Sequence, residues 1–138
     1  MIFLDAFTPS KCPCLWSYEF FKLLFEHLEP DGMILTYSTS ASIRNAMLAA
    51  GFEIGNIYNE RLGKFSGTIA TKDKSLIKSP LSEFDLGLLK TKAGIFYRDE
   101  NLTALNEAIL ERRNSEVKNS DKMSTSHYNK LYKSVKKV

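Results

Sequence analysis

Short apolar runs alternate with stretches of helical spacing along the first fifty residues. Ile2-Phe3-Leu4 runs straight into Asp5 and then meets Pro9 and Pro13. A short apolar run that ends on residues hostile to helix predicts a buried strand closing on a rigid loop. Ser17 follows as a helix cap with Glu19 in the first turn, and apolar residues at 20, 21, 24, 25 and 28 give one broad helical face. Pro30-Asp31-Gly32 ends that helix, and Met33 to Ser38 predicts a second buried strand. Ser38-Thr39-Ser40 caps a second helix that buries Ile43, Met47 and Ala50 and stops at Gly51.

Beyond Gly51 the period changes. Phe52-Glu53-Ile54 and Asn56-Ile57-Tyr58, a turn over Gly63 to Gly67, and Thr68 to Thr71 predict a terminal antiparallel hairpin. The alternation of strand and helix before it predicts an α/β sheet. Ser79-Pro80 and Ser82-Glu83 suggest a short helix start, and Ile95 to Asp99 an extended segment. Asp99 is then placed to cap a helix carrying Leu102, Leu105 and Ile109. After Asn114 apolar periodicity fades, so residues 116–138 read as a disordered basic tail with Tyr128, Tyr132 and Val135 as a weak docking stripe. The resulting division is a core over 1–72, an extension with a helix over 73–115, and the tail.

Composition narrows the class. With 138 residues, 43% hydrophobic and 25% charged, the chain is one globular domain's worth of sequence. No apolar run approaches the ~20 residues of a membrane span, and no secretory leader pattern opens the chain, which predicts a cytoplasmic protein without membrane contact. The total charge of +3 is uneven: residues 112–138 carry eight Lys/Arg against Glu116 and Asp121, so the tail is +6 and the rest −3. Such a tail is compatible with a polyanionic partner. Cys12 and Cys14 stand one proline apart. A bridge between such near neighbours is strained, and two thiols cannot close a zinc site, so they read as reduced thiols and no metal is expected.

The chemistry-bearing stretch is the first one. The carboxyl ends of strands in open α/β sheets are where ligands are held, which puts Asp5 at the lip with Phe7 and Trp16 as aromatic walls. The alternative is an acid that caps a local turn, with the aromatics packing the loop onto the sheet. His27, off the apolar face near a helix end, reads as a solvated or dipole-facing residue. Lys11, Lys64 and Arg98 are candidate phosphate contacts, against the commoner role of such residues as solvated surface cations.

The order strand, Asp loop, helix, Pro-Asp-Gly, strand, helix, Ala-Gly-Phe, hairpin resembles the second half of a class I S-adenosylmethionine-dependent methyltransferase. More narrowly, Phe3-Leu4-Asp5-Ala6-Phe7-Thr8-Pro9 with Pro13 and Leu15-Trp16 is similar to the signature of the MnmC-like methyltransferases. Leu48 to Phe52, Ser66 to Ala70, Gly94 to Asp99 and Glu111-Arg112-Arg113 extend the likeness. These enzymes complete the 5-methylaminomethyl group on the wobble uridine of certain tRNAs. The resemblance implies strands four to seven of a Rossmann-like sheet with S-adenosylmethionine as cofactor. It implies Asp5 as the catalytic residue, Leu4, Asp5, Ala6 and Phe7 on the cofactor, and Phe7, Pro9, Lys11, Trp16 and Lys64 on the tRNA substrate. Cys12 stands where the family usually has Asn. No glycine pair of the G-x-G kind follows a first strand, so the expectation is a truncated or mis-started member that lacks the cofactor-binding half and is inactive alone. Its unpaired strand edge then predicts self-association or a partner chain. The alternatives are a non-catalytic module that completes its sheet with a partner, or a methyltransferase acting on a small-molecule amine.

Overall fold

The computed structural model describes residues 1–5 and 8–136, with side chains through residue 133. Strand β1 (Ile2–Leu4), helix α1 (Tyr18–His27) and strand β2 (Met33–Thr36) form a strand–helix–strand unit whose two strands run parallel, Phe3 opposite Leu35. The Ser17 hydroxyl accepts from the Phe20 N–H (3.1 Å) and starts α1 where the sequence predicts. Helix α2 (Ala41–Ala50) ends on Gly51, whose φ of 115° is reached cheaply only by glycine. Strands β3 (Glu53–Asn59) and β4 (Lys64–Thr71) then form the hairpin, and the sheet order is β1-β2-β4-β3 with β4 antiparallel to both neighbours. The protein is thus a mixed α/β fold built on a four-stranded sheet.

Alternation along the strands sorts the sheet into two unlike faces. Leu4, Ile34, Ile54 and Ala70 point into a core completed by Phe21 of α1 and by Ile43, Ala46, Met47 and Ala50 of α2. On the other face Phe3 is 73% exposed, and Leu35 and Ile57 are half-buried. The outer edge of β3 is covered: the Asn56 N–H donates to the Ser79 carbonyl (2.7 Å), and Gly55 bridges Pro80. Among the described residues β1 pairs with β2 alone.

Three segments depart from the sequence reading. The hairpin turn lies earlier than Gly63 to Gly67, because the Asn59 side chain accepts from the Leu62 N–H (3.1 Å) and Gly63 takes a φ of 62°. Lys64 onward is therefore already strand. Asp99 caps no helix directly: its carboxylate accepts from the Thr103 and Ala104 N–H groups (3.1 and 3.0 Å) around Leu102, whose φ is 56°. That tight turn delays helix α4 to Asn106–Asn119, leaving Leu102 and Leu105 exposed while Ile109 is buried. Finally, the stretch read as a disordered tail carries the end of α4 and a further helix, α5 (Thr125–Lys136). Tyr128 and Tyr132 pack on Phe84 of helix α3 (Glu83–Leu88), and the Tyr128 hydroxyl donates to the Phe84 carbonyl (3.0 Å). The side chain of Val135, the third member of that stripe, lies outside those described. None of the described helices is long and apolar enough to cross a membrane.

Glu19 ties the late extended segment to the start of α1. Its carboxylate accepts from Arg98 Nε (2.7 Å) and from the Asp99 N–H (2.7 Å), while the Tyr18 N–H donates to the Tyr97 carbonyl (3.0 Å). Burial pushes the Glu19 carboxyl up, but the Asp99 N–H and the Arg98 guanidinium outweigh it, and the group ends below the usual range. A carboxyl that binds its proton less readily when folded stabilises fully above ~4.3, its unfolded value, and loses that contribution as pH falls through the lower folded value. Glu19→Gln is expected to lower unfolding free energy by roughly 1–2 kcal/mol at neutral pH. In urea titrations the gap between the two proteins should close under strongly acid conditions.

Candidate active site

Chain direction brings the carboxyl ends of β1 and β2 to the same end of the sheet, because the two strands are parallel. A cavity of about 350 Å3 opens there, lined by Phe3, Leu4 and Asp5 from the first strand and its exit. Leu35, Thr36 and Tyr37 line it from the second, with Ile57 and Ser66 from the hairpin. The size is at the lower end for small-molecule sites. Its walls are mostly apolar, and Asp5 is the one carboxylate among the described residues that line it. Asp5 is exposed at the lip rather than buried, so it meets both solvent and the cavity.

Ser66 reaches this cavity through an irregularity. Ile57 pairs with Gly67 but Tyr58 pairs with Phe65, so Ser66 is an extra residue in β4, a bulge that re-aims its side chain. Gly67, next to it, lies so close to the Thr36 carbonyl that a methyl group there would overlap it. The bulge and the missing side chain together let the hairpin close against the end of β2.

The loop after β2 is fixed from below by a buried cation. Arg44 of α2 is 4% exposed. Its Nε donates to Thr68 Oγ1 (2.8 Å) and its Nη2 to Asn56 Oδ1 (2.7 Å) and the Gly67 carbonyl (3.3 Å). Thr68 passes the constraint on, donating to the Ser38 carbonyl (2.6 Å), while the Ser38 N–H donates to Thr36 Oγ1 (3.2 Å). Burial draws the Arg44 pKa down, and Asp85 Oδ2, 3.9 Å from Nη1, draws it back up. Sequence reasoning missed this residue. Its signal is a lone Arg beside Ile43 at the border of an otherwise apolar helix face.

The sequence-predicted site residues divide sharply. Leu4 and Asp5 line the cavity, and Ala6 and Phe7 lie outside the described residues. Pro9 is half-buried and Lys11 and Lys64 are exposed, but none of the three lines the cavity. Trp16 is corrected: it is 3% exposed with its ring edge-on to Phe21 (6.5 Å between centroids), so it packs the loop into the core and offers no open face to a base. Arg98 is corrected likewise, since Glu19 and the Tyr18 ring (5.3 Å) hold it. His27 is exposed, with Nδ1 donating to the Leu23 carbonyl (2.9 Å). Tyr37, 74% exposed at the cavity rim, escaped sequence reasoning, although it closes the second apolar strand as Asp5 closes the first.

With this geometry in hand, the chain can be set beside known proteins. Residues 1–73 match the family described as S-adenosyl-L-methionine-dependent methyltransferase. The chain belongs to that family. It is 30% identical over 115 residues to the uncharacterized protein MJ0670 of Methanocaldococcus jannaschii, covering 82% of this chain and 32% of that one. The tRNA 5-methylaminomethyl-2-thiouridine biosynthesis bifunctional protein MnmC of Dichelobacter nodosus is 35% identical over 52 residues, 38% of this chain and 8% of its own. The protein of the same name from Azoarcus sp. is 39% identical over 51 residues, 37% of this chain and 8% of its own. The crystal structure of MNMC2 from Aquifex aeolicus superposes with a TM-score of 0.75 at 31% identity, covering 86% of this chain and 38% of that one. The likeness to the MnmC group is therefore borne out, and the chain spans about a third of the length of MJ0670.

The family implies S-adenosylmethionine as its cofactor. The described residues fit only part of such a group. They supply a carboxylate and apolar wall, but no glycine lies in the turn between a described strand and the helix after it, where a backbone must approach a bound nucleoside closely. The cofactor as a whole does not fit on these residues alone. No group of three or more His, Cys, Asp or Glu among the described residues is arranged to hold a metal.

Removing the buried cation tests how the site is held. Arg44→Met is expected to cost roughly 2–4 kcal/mol in urea unfolding, because Thr68, Asn56 and the Gly67 carbonyl lose their donor. Hydrogen exchange in the same variant should show faster exchange at Ser38 and Ser40 than at the α1 amides.

Proposed function

We propose that this chain is the acceptor side of an S-adenosylmethionine-dependent N-methyltransferase that acts, in the cytoplasm, on the aminomethyl group of a tRNA wobble uridine. The observation that carries the reading is Asp5: a carboxylate at the carboxyl end of β1, on the lip of an apolar cavity wide enough for one small group. The names of the MnmC relatives support the substrate class. The parallel β1–β2 pair followed by an antiparallel hairpin supports strands four to seven of a Rossmann-like sheet, and β1, which among the described residues pairs with β2 alone, leaves an edge on which such a sheet would continue.

The chemistry follows from the amine. An ammonium ion has no lone pair to offer, so the acceptor must be neutral when it attacks. Asp5 orients the nitrogen, takes its proton, and offsets the positive charge that grows there as the new bond forms. Phe3, Leu35 and Ile57 give the apolar part of the acceptor a surface to rest on beside the carboxylate. Tyr37, exposed at the rim, offers a ring on which an unstacked base can rest. Lys11 and Lys64 serve the tRNA backbone, and α5 with its lysines adds a salt-sensitive attraction.

A second reading rests on the one-sided pairing of β1 beside the exposed Phe3: a non-catalytic module that completes its sheet with a partner chain. Light scattering tests this reading, since a stable monomer that never associates speaks against a required partner.

The enzymatic reading is tested by fusing this chain to the part of MJ0670 it does not match and assaying methyl transfer to tRNA bearing aminomethyluridine. The fusion is expected to be active, and Asp5→Asn to lower kcat/KM by about 10²–10⁴. An Asp5→Asn fusion as active as its parent would overturn the role given to that carboxylate. Calorimetry of S-adenosylmethionine with this chain alone is expected to show no micromolar binding.

A further inference from the structure

The loop that leaves the candidate site carries a pair of thiols that the methylation chemistry does not use. Cys12 and Cys14 flank Pro13, and both are free and half-buried. In an extended strand, residues two apart have Cα atoms about 7 Å apart, beyond the usual reach of a disulfide. This loop is not extended. The Leu15 N–H donates to the Cys12 carbonyl (3.1 Å), the Trp16 N–H donates to the Pro13 carbonyl (3.0 Å), and residues Pro13–Leu15 form a 3-10 turn. A 3-10 turn rises only about 2 Å per residue, so residues two apart lie closer than in a strand, and the two Sγ atoms stand 3.5 Å apart. The far side of the turn is anchored as well, since the Cys14 N–H donates to Asn106 Oδ1 of α4 (3.3 Å).

We propose that Cys12 and Cys14 are a reversible modification site, closing to an intramolecular disulfide by exchange with a small-molecule disulfide such as glutathione disulfide. One protein thiolate attacks the oxidant's sulfur–sulfur bond, forms a mixed disulfide and expels one glutathione thiolate. The second, once deprotonated, attacks the protein sulfur of that mixed disulfide and expels the other. Two electrons pass from the protein dithiol to the oxidant, and the two protons end on the two glutathione thiolates. Burial, and next the hydrogen bond with Cys12, hold the Cys14 thiol above its ordinary range. That lowers the thiolate fraction at Cys14 and slows its part in the exchange. The pair also lacks the further ligands of a zinc site among the described residues. Closure pins the connection between β1 and α1, within which Asp5 and Trp16 both lie.

The proposal does not depend on the methyltransferase reading, and its test needs no activity. The purified chain is equilibrated in glutathione buffers of rising disulfide content, quenched in acid, and weighed intact before and after alkylation. The expected product is a monomer lighter by two hydrogens, with both sulfurs protected from alkylation and released by dithiothreitol. Cys12→Ser and Cys14→Ser should each gain one glutathione instead. Because the folded turn pre-aligns the sulfurs, the equilibrium constant for bridging should exceed that of the same chain in denaturing urea by on the order of tenfold. The idea is overturned if two alkylatable thiols persist throughout, if glutathione adducts or cross-linked dimers form instead, or if the denatured chain bridges as readily as the folded one.

Discussion

A guanidinium almost sealed from water ties this fold together near its cavity. Arg44 leaves α2 sideways and spends its donors on Thr68, Asn56 and the Gly67 carbonyl, so one helix is tied to both strands of the hairpin. Burying a cation without close acids is costly, and Asp85 at 3.9 Å offsets only part of it. What the arrangement secures is position. Thr68 relays the constraint to Ser38, and the end of β2 is thereby fixed relative to β4. The end of β2 and the hairpin, so tied, form two of the sides of the cavity, with β1 as the third.

Much of the scaffold is legible in the sequence. Ser17 and Gly51 are punctuation that works locally, through a hydroxyl accepting an N–H and a glycine adopting a positive φ, so short-range reading finds them. The hairpin turn was misplaced because two glycines near residue 65 look like a turn, whereas Gly67 is there for close approach to Thr36. Asp99 has the chemistry of a helix cap, yet it spends its carboxylate on a tight turn and shifts α4 by several residues. Helix α5 has little core of its own. It is settled by two tyrosines meeting Phe84, a contact between segments forty residues apart that no local window reveals.

The site was half legible for the same reason. That an acid at the end of a parallel strand stands at the mouth of a cleft is a rule of topology, and Asp5 obeys it. Whether an aromatic or a cation nearby is open or engaged is a matter of tertiary packing. Trp16 turned inward onto Phe21, and Arg98 found Glu19. The residues that shape the cavity from the hairpin, Ile57 and Ser66, depend on a one-residue bulge that leaves no mark in the pattern of apolar positions.

The two flanks of the sheet are chemically unequal. Beyond β3 the ladder meets Ser79 and Pro80, and a proline carries no N–H to offer another strand. Beyond β1 no such stopper stands among the described residues. Lengthening is therefore unidirectional. Among the described residues, a strand added to this ladder would find free backbone groups at the β1 flank and a terminated edge at the β3 flank.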